Sequence, residues 1–130
     1  MKRLHLVVGV LTLIVFILTG QYLSRAYPNM TGVSDGVRML LRSRHLYIML
    51  AGAVNAALGL YLTGQAPGWR TMVQRTGSVL LLIAPVLLTA GFFVEAPHGQ
   101  LDRPLAPFGL YAVFGGIVLH LLSAVKKDNR

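Results

Sequence analysis

The chain has 130 residues, of which 55% are hydrophobic and only 12% are charged, and its mean hydropathy is +0.64. Soluble domains carry about 25% charged residues, so this composition is typical of a membrane protein. The 130 residues include no cysteine, which excludes disulfides, thiolate metal sites, iron–sulfur clusters and cysteine nucleophiles.

Four stretches contain no Lys, Arg, Asp or Glu, and each is long enough to cross a bilayer as a helix of roughly 20 residues. They are Leu4–Ser24, Leu46–Trp69, Thr76–Val94 and Pro104–Val125. The pattern predicts an all-α fold, a transmembrane four-helix up-down bundle. We expect one integral membrane domain over residues 1–130, with spans at about 4–24, 46–66, 76–95 and 106–125.

Small residues recur at spacings that let two membrane helices approach closely. The pairs are Gly52 with Ala56, Ala53 with Ala57, and Gly109 with Gly116. They predict helix–helix contact surfaces.

The net charge of +8 lies at the ends of the apolar stretches, where basic residues anchor helices at lipid headgroups. We therefore expect the lipid bilayer as a partner and no nucleic acid. With four spans, seven Lys and Arg lie on the side of the termini and five on the other side. The positive-inside rule then places both termini in the cytoplasm.

The second helix is predicted to begin near Ser34, well before its apolar part. Asp35, Arg38, Arg42 and His45 then follow at spacings of 3, 4 and 3 and share one helix face. Arg38, Arg42 and His45 on one face can hold an anion such as a lipid phosphate, a ligand carboxylate or a heme propionate. The structural alternative is an Asp35–Arg38 pair with arginines that reach the headgroups.

Glu95 is expected at the end of the third helix as an interfacial charge. Its predicted partners are Arg103 or the arginines at 38 and 42.

The four histidines divide into two pairs by predicted membrane depth. His5 and His120 belong to one side, and His45 and His98 belong to the other. Facing histidines in a helical bundle hold b-type hemes, so a heme is the cofactor hypothesis, and a metal site such as Cu or Zn is a further alternative. The alternative for His120 is a structural hydrogen bond. We expect its side chain to face the bundle interior, with His5 or Thr12 as its partner.

The segments Arg42-Ser43-Arg44-His45-Leu46-Tyr47-Ile48 and Thr19-Gly20-Gln21-Tyr22 resemble small four-span inner-membrane proteins of Gram-negative bacteria. That family has no established activity, so the resemblance implies location in a bacterial cytoplasmic membrane and no chemistry. The chain length and the histidine of the first helix are also similar to small membrane proteins of heme metabolism, whose motifs are absent.

The chain shows no hydrolase triad, zinc-protease helix or phosphate-binding loop. The sequence therefore favours a non-enzymatic accessory, assembly or structural membrane subunit, with other membrane subunits or further copies of itself as partners. The alternative is a redox protein that binds heme, quinone or lipid through the histidine pairs.

Overall fold

In a computed structural model that describes residues 1–62, 68–97 and 104–125, the chain forms four α-helices. They are α1 (Lys2–Ala26), α2 (Asp35–Tyr61), α3 (Trp69–Val94) and α4 (Leu105–Ala124). A short 3-10 turn, Pro28–Met30, lies between α1 and α2. No strand occurs among the described residues, so the all-α prediction is confirmed.

Helix boundaries agree with the sequence prediction at α2 and differ from it at α3. Ser34 is the N-cap of α2, as expected, although its side chain makes no capping hydrogen bond. The helix then runs without a break past the arginines. The start of α3 is at Trp69, close to Thr71 and well before Thr76, the two starts that the sequence suggests.

Consecutive helices run antiparallel. Early residues of α1 lie against late residues of α2, as in the contacts of Leu6 with Gly59 and Leu13 with Gly52. The same holds for α3 and α4, where Gly77 lies against Gly116. Most of the contacts of α1 are with α2 and most of those of α4 are with α3, while α2 and α3 join the two pairs.

Glycines make these two helix pairs possible. A Cβ added at Gly59 would lie 2.5 Å from the Cα of Leu6, and one at Gly116 would lie 2.5 Å from the Cγ of Leu81. The predicted packing role is confirmed for Gly52, Gly109 and Gly116, all of which are buried at helix contacts. It is wrong for Ala53 and Ala57, which are exposed.

Three of the four described helices, α1, α3 and α4, are long and apolar enough to cross a membrane. The second helix is not among them. Its first half carries Arg38, Arg42 and Arg44, and Asn55 interrupts its apolar second half. By composition alone, α2 is therefore the least apolar of the four helices.

The bundle interior has an apolar middle and a polar layer near each end. The largest fully buried apolar side chains are Phe92, Leu41, Ile48, Leu81, Leu88 and Val113. One polar layer contains His5 and Asn55, and the other contains Arg44 and Glu95. Because antiparallel helices place the start of one beside the end of the next, each layer draws on several helices.

We predict that Gly9→Ala destabilises the bundle by about 1–3 kcal/mol, as overpacking does in other cores. The added Cβ would lie 2.7 Å from the Cα of Ala56, and neither backbone can move aside cheaply. Gly115→Ala is the matched control, since its Cβ would meet only the tip of Leu80 at 3.7 Å. Reversible unfolding in mixed detergent micelles measures both changes. Equal stability of the two variants would contradict the close approach of α1 and α2.

Candidate functional site

The first polar layer is a cluster of two histidines, an asparagine and a serine, one from each helix. We call His5, Asn55, Ser78 and His120 the histidine cluster. All four side chains are buried, with exposures of 0%, 0%, 0% and 8% in that order. They meet because the start of α1 and α3 and the end of α2 and α4 lie at the same end of the bundle.

Asn55 determines which nitrogen of His5 carries the proton. Its amide nitrogen donates to the carbonyl oxygens of Ala51 at 2.9 Å and Leu81 at 2.8 Å, which uses both amide hydrogens. The amide oxygen therefore faces His5 Nδ1, at 2.7 Å, and accepts its hydrogen. Neutral His5 then presents a bare lone pair at Nε2.

That lone pair has no partner among the described residues. His5 Nε2 is buried and accepts no hydrogen bond. A buried polar atom left unpaired costs about 1–3 kcal/mol. Such atoms call for an explanation, and a bound group is one of the usual ones.

His120 faces the bundle interior, as predicted. Its Nε2 lies 3.1 Å from the hydroxyl of Ser78, which is the hydrogen-bond partner that the sequence did not identify. The expected partner His5 is a ring neighbour instead, with centroids 6.0 Å apart and planes at 79°. The other candidate, Thr12, donates its hydroxyl hydrogen to the carbonyl of Val8.

The heme hypothesis stays a prediction for this pair. The two rings are close, but His5 Nε2 has no exposed surface and His120 Nε2 is engaged with Ser78. A macrocycle between them would have to push α1 and α4 apart. A single small ion or molecule needs much less space.

The second polar layer is an ion pair that the sequence analysis missed. Arg44 of α2 contacts the carboxylate of Glu95, at the end of α3, at 2.5 Å. Glu95 also accepts from the backbone N–H of Leu105 at 2.7 Å and of Ala106 at 3.3 Å, at the start of α4. We call Arg44, Glu95 and these two amides the arginine–glutamate clamp.

The expectation that Glu95 pairs with Arg38 or Arg42 is wrong. Its side chain is 0% exposed and its cation is Arg44. A carboxylate at a helix N-terminus satisfies free N–H groups and complements the helix dipole. A signal was present in the sequence: Arg44 lies on the same helix face as the apolar residues Leu41, Ile48 and Ala51, at spacings of 3 and 4.

The predicted anionic-ligand face of α2 does not converge on one point. Arg38 pairs with Asp35 at 3.4 Å and donates to the carbonyls of Met30 and Val33, each at 3.3 Å. Arg42 is exposed. These contacts agree with the structural alternative for Arg38, and an anionic ligand for Arg42 stays a prediction.

His45 faces α1 rather than an open surface. Its ring stacks on Phe16, with centroids 4.2 Å apart, and its Nδ1 lies 3.0 Å from the hydroxyl of Thr19. Its proposed partner His98 lies outside the described residues. Arg103, the other proposed partner of Glu95, lies outside them too.

We predict that breaking the clamp destabilises the fold strongly. Arg44→Met leaves a buried carboxylate without its cation, and Glu95→Gln leaves a buried guanidinium without its anion. Each single change is expected to lower the free energy of unfolding by about 3–5 kcal/mol. The double variant contains neither charge, so its loss should be clearly smaller than the sum of the two.

The control for this cycle is Asp35→Asn, which removes a pair whose acid is 97% exposed. Exposed pairs contribute about 0–1 kcal/mol, so little change is expected there. Unfolding in mixed micelles measures all four variants. If the losses of the two single variants add in the double variant, or if each single variant is as stable as Asp35→Asn, then Arg44 and Glu95 do not stabilise each other.

Comparison with protein-family models, curated proteins and solved structures finds no match for this chain. Its function therefore has to be argued from the geometry of its own residues.

Proposed function

We propose that the chain is a four-pass protein of a bacterial cytoplasmic membrane and acts as a non-enzymatic accessory or assembly subunit. The observation that carries this proposal is the location of the hydrogen-bond and ion-pair partners of the polar side chains. In the described bundle, the buried ones bond to one another and to backbone groups inside the bundle, while large apolar side chains are exposed on the outer faces of the helices.

The fourth span is α2, and its polar residues support rather than oppose it. Arg44 is paired with Glu95, and Asn55 has three hydrogen bonds within the bundle. His45 is bonded to Thr19. Polar groups are tolerated at membrane depth when they face the bundle interior and have partners there.

The buried ion pair also strengthens the argument for cytoplasmic termini. Arg44 is engaged inside the bundle, so it does not act as a free charge at the membrane surface. When Arg44 is left out of the count, four basic residues lie on the side opposite the termini and seven lie on the side of the termini. A larger excess of Lys and Arg is expected on the cytoplasmic side.

The outer face of α4 is the surface that best suits a protein partner. Phe108, Tyr111, Phe114 and Val118 are exposed by 57%, 70%, 57% and 51%. They follow at spacings of 3, 3 and 4 and form one strip along the helix. Aromatic side chains are enriched at protein interfaces, whereas the outer face of α1 is mainly aliphatic.

Single cysteines will test the fourth span, since the chain has none of its own. Ser34 precedes α2 and Trp69 follows it, and both are exposed. In intact spheroplasts, an impermeant maleimide is expected to label Ser34→Cys, and to label Trp69→Cys only after permeabilisation. Labelling of both from the same side would show that α2 does not cross. The reverse pattern would keep four spans and overturn the orientation.

Photo-crosslinking in the native membrane will test the accessory role. A photoreactive residue at Phe114, on the aromatic strip, is expected to give one discrete adduct with another membrane protein. The same residue at Ile14, which is 46% exposed on α1, is the control and is expected to give lipid adducts. Lipid adducts alone at both positions would contradict a partner subunit. An adduct of the chain with itself would identify a homo-oligomer instead.

The redox alternative rests on the proximity of His5 and His120. An absorption spectrum of the chain purified from heme-supplemented cells separates it from the accessory role. We expect no Soret band in stoichiometric amount. A Soret band with sharp α and β bands on reduction, lost in His120→Gln, would establish the heme protein.

A further inference from the structure

The accessory role leaves the buried Nε2 lone pair of His5 unused. Asn55 holds the other ring nitrogen in its protonated form, so the lone pair is fixed in direction as well as in tautomer. When a histidine binds a metal through one ring nitrogen, the other ring nitrogen usually donates to an oxygen, and this bond orients the ring. The second-sphere partner is therefore present, and Nε2 is left bare.

A second imidazole lies at a suitable distance. The ring centroids of His5 and His120 are 6.0 Å apart. Two imidazoles that bind one ion from opposite sides, through nitrogen at bond lengths of about 2.0 Å, have centroids about 6 Å apart. The Ser78 hydroxyl lies 3.1 Å from His120 Nε2, and an ion bound at this nitrogen would replace that hydrogen bond.

The charge of the surroundings selects the kind of ion. Imidazole nitrogen suits copper, zinc, iron and nickel. The acids among the described residues, Asp35 and Glu95, belong to the opposite end of the bundle, and exposed Lys2 and Arg3 begin the helix that carries His5. Among the described residues, a divalent ion buried here would have no anion to balance it. A monovalent ion carries half that charge, and the free-energy cost of burying an ion rises steeply with the magnitude of its charge.

We infer that the histidine cluster binds one copper(I) ion between His5 and His120, with Asn55 as a positioning residue. The two imidazoles supply the ligand nitrogens, and the ion is bound by the His5 lone pair that the fold leaves unpaired. The site lies entirely within the described bundle, so it depends neither on the membrane crossing of α2 nor on a partner subunit.

Competition with a coloured copper(I) complex will test this inference. The full chain is purified through a tag without histidine, kept in detergent under argon with ascorbate, and titrated with copper(I) bicinchoninate. The wild type is expected to remove one copper(I) per chain from the probe. Its X-ray absorption spectrum should show the multiple scattering of two imidazole rings.

Three variants and one control assign the ligands. His5→Gln and His120→Gln are each expected to weaken binding by more than about 100-fold, since loss of an orienting partner alone costs about 10–100-fold. Asn55→Ala should weaken binding within that smaller range. His45→Gln is the control, because His45 is bonded to Thr19 at the other end of the bundle. It should bind copper like the wild type.

The result that overturns the inference is a wild type that takes no copper(I) from the probe. Equal binding by His5→Gln and the wild type, or displacement of copper(I) by one equivalent of Zn²⁺, would also overturn it. Thermal unfolding of each variant checks that the fold persists. If a variant does not fold, the wild-type spectrum still tests the inference, because scattering from fewer than two imidazole rings would overturn it.

Discussion

The buried ion pair of Arg44 and Glu95 is the interaction on which the arrangement of the last three helices depends. It joins the middle of α2 to the end of α3, and the same carboxylate accepts two backbone N–H groups at the start of α4. In an apolar interior, neither charge tolerates the loss of the other. The carboxylate position therefore fixes where α4 begins relative to α2.

A second cation acts at the opposite end of α4. Arg70, in the first turn of α3, donates to the carbonyl oxygen of Ser123. A negative group at the N-terminus and a positive group at the C-terminus both favour a helix dipole. Side chains in or next to α3 thus bond backbone groups at each end of α4. Between these ends, the contacts of Gly77, Gly109 and Gly116 allow the two backbones to approach closely.

The two polar layers differ in whether they contain an unpaired polar atom. In the clamp, each charge has its counterion and the carboxylate has further donors. In the histidine cluster, Asn55 is fully bonded and His120 has Ser78, but His5 keeps an unpaired nitrogen. A bundle selected for packing alone has no reason to bury that nitrogen. The histidine cluster is therefore the better candidate for a ligand site, whereas the clamp has a structural role.

The length of the apolar runs was enough to predict the class of fold and the four helices. The capping residue Ser34 predicted the start of α2, and Gly109 and Gly116 on the same helix face predicted the inward orientation of His120. The sequence by itself did not determine the partners. Arg44 and Glu95 are separated by 51 residues, and His120 and Ser78 by 42. Such pairs depend on the rotation and axial offset of each helix, which close glycine contacts decide. Period and composition place a residue on a face, and only the tertiary structure shows what that face meets.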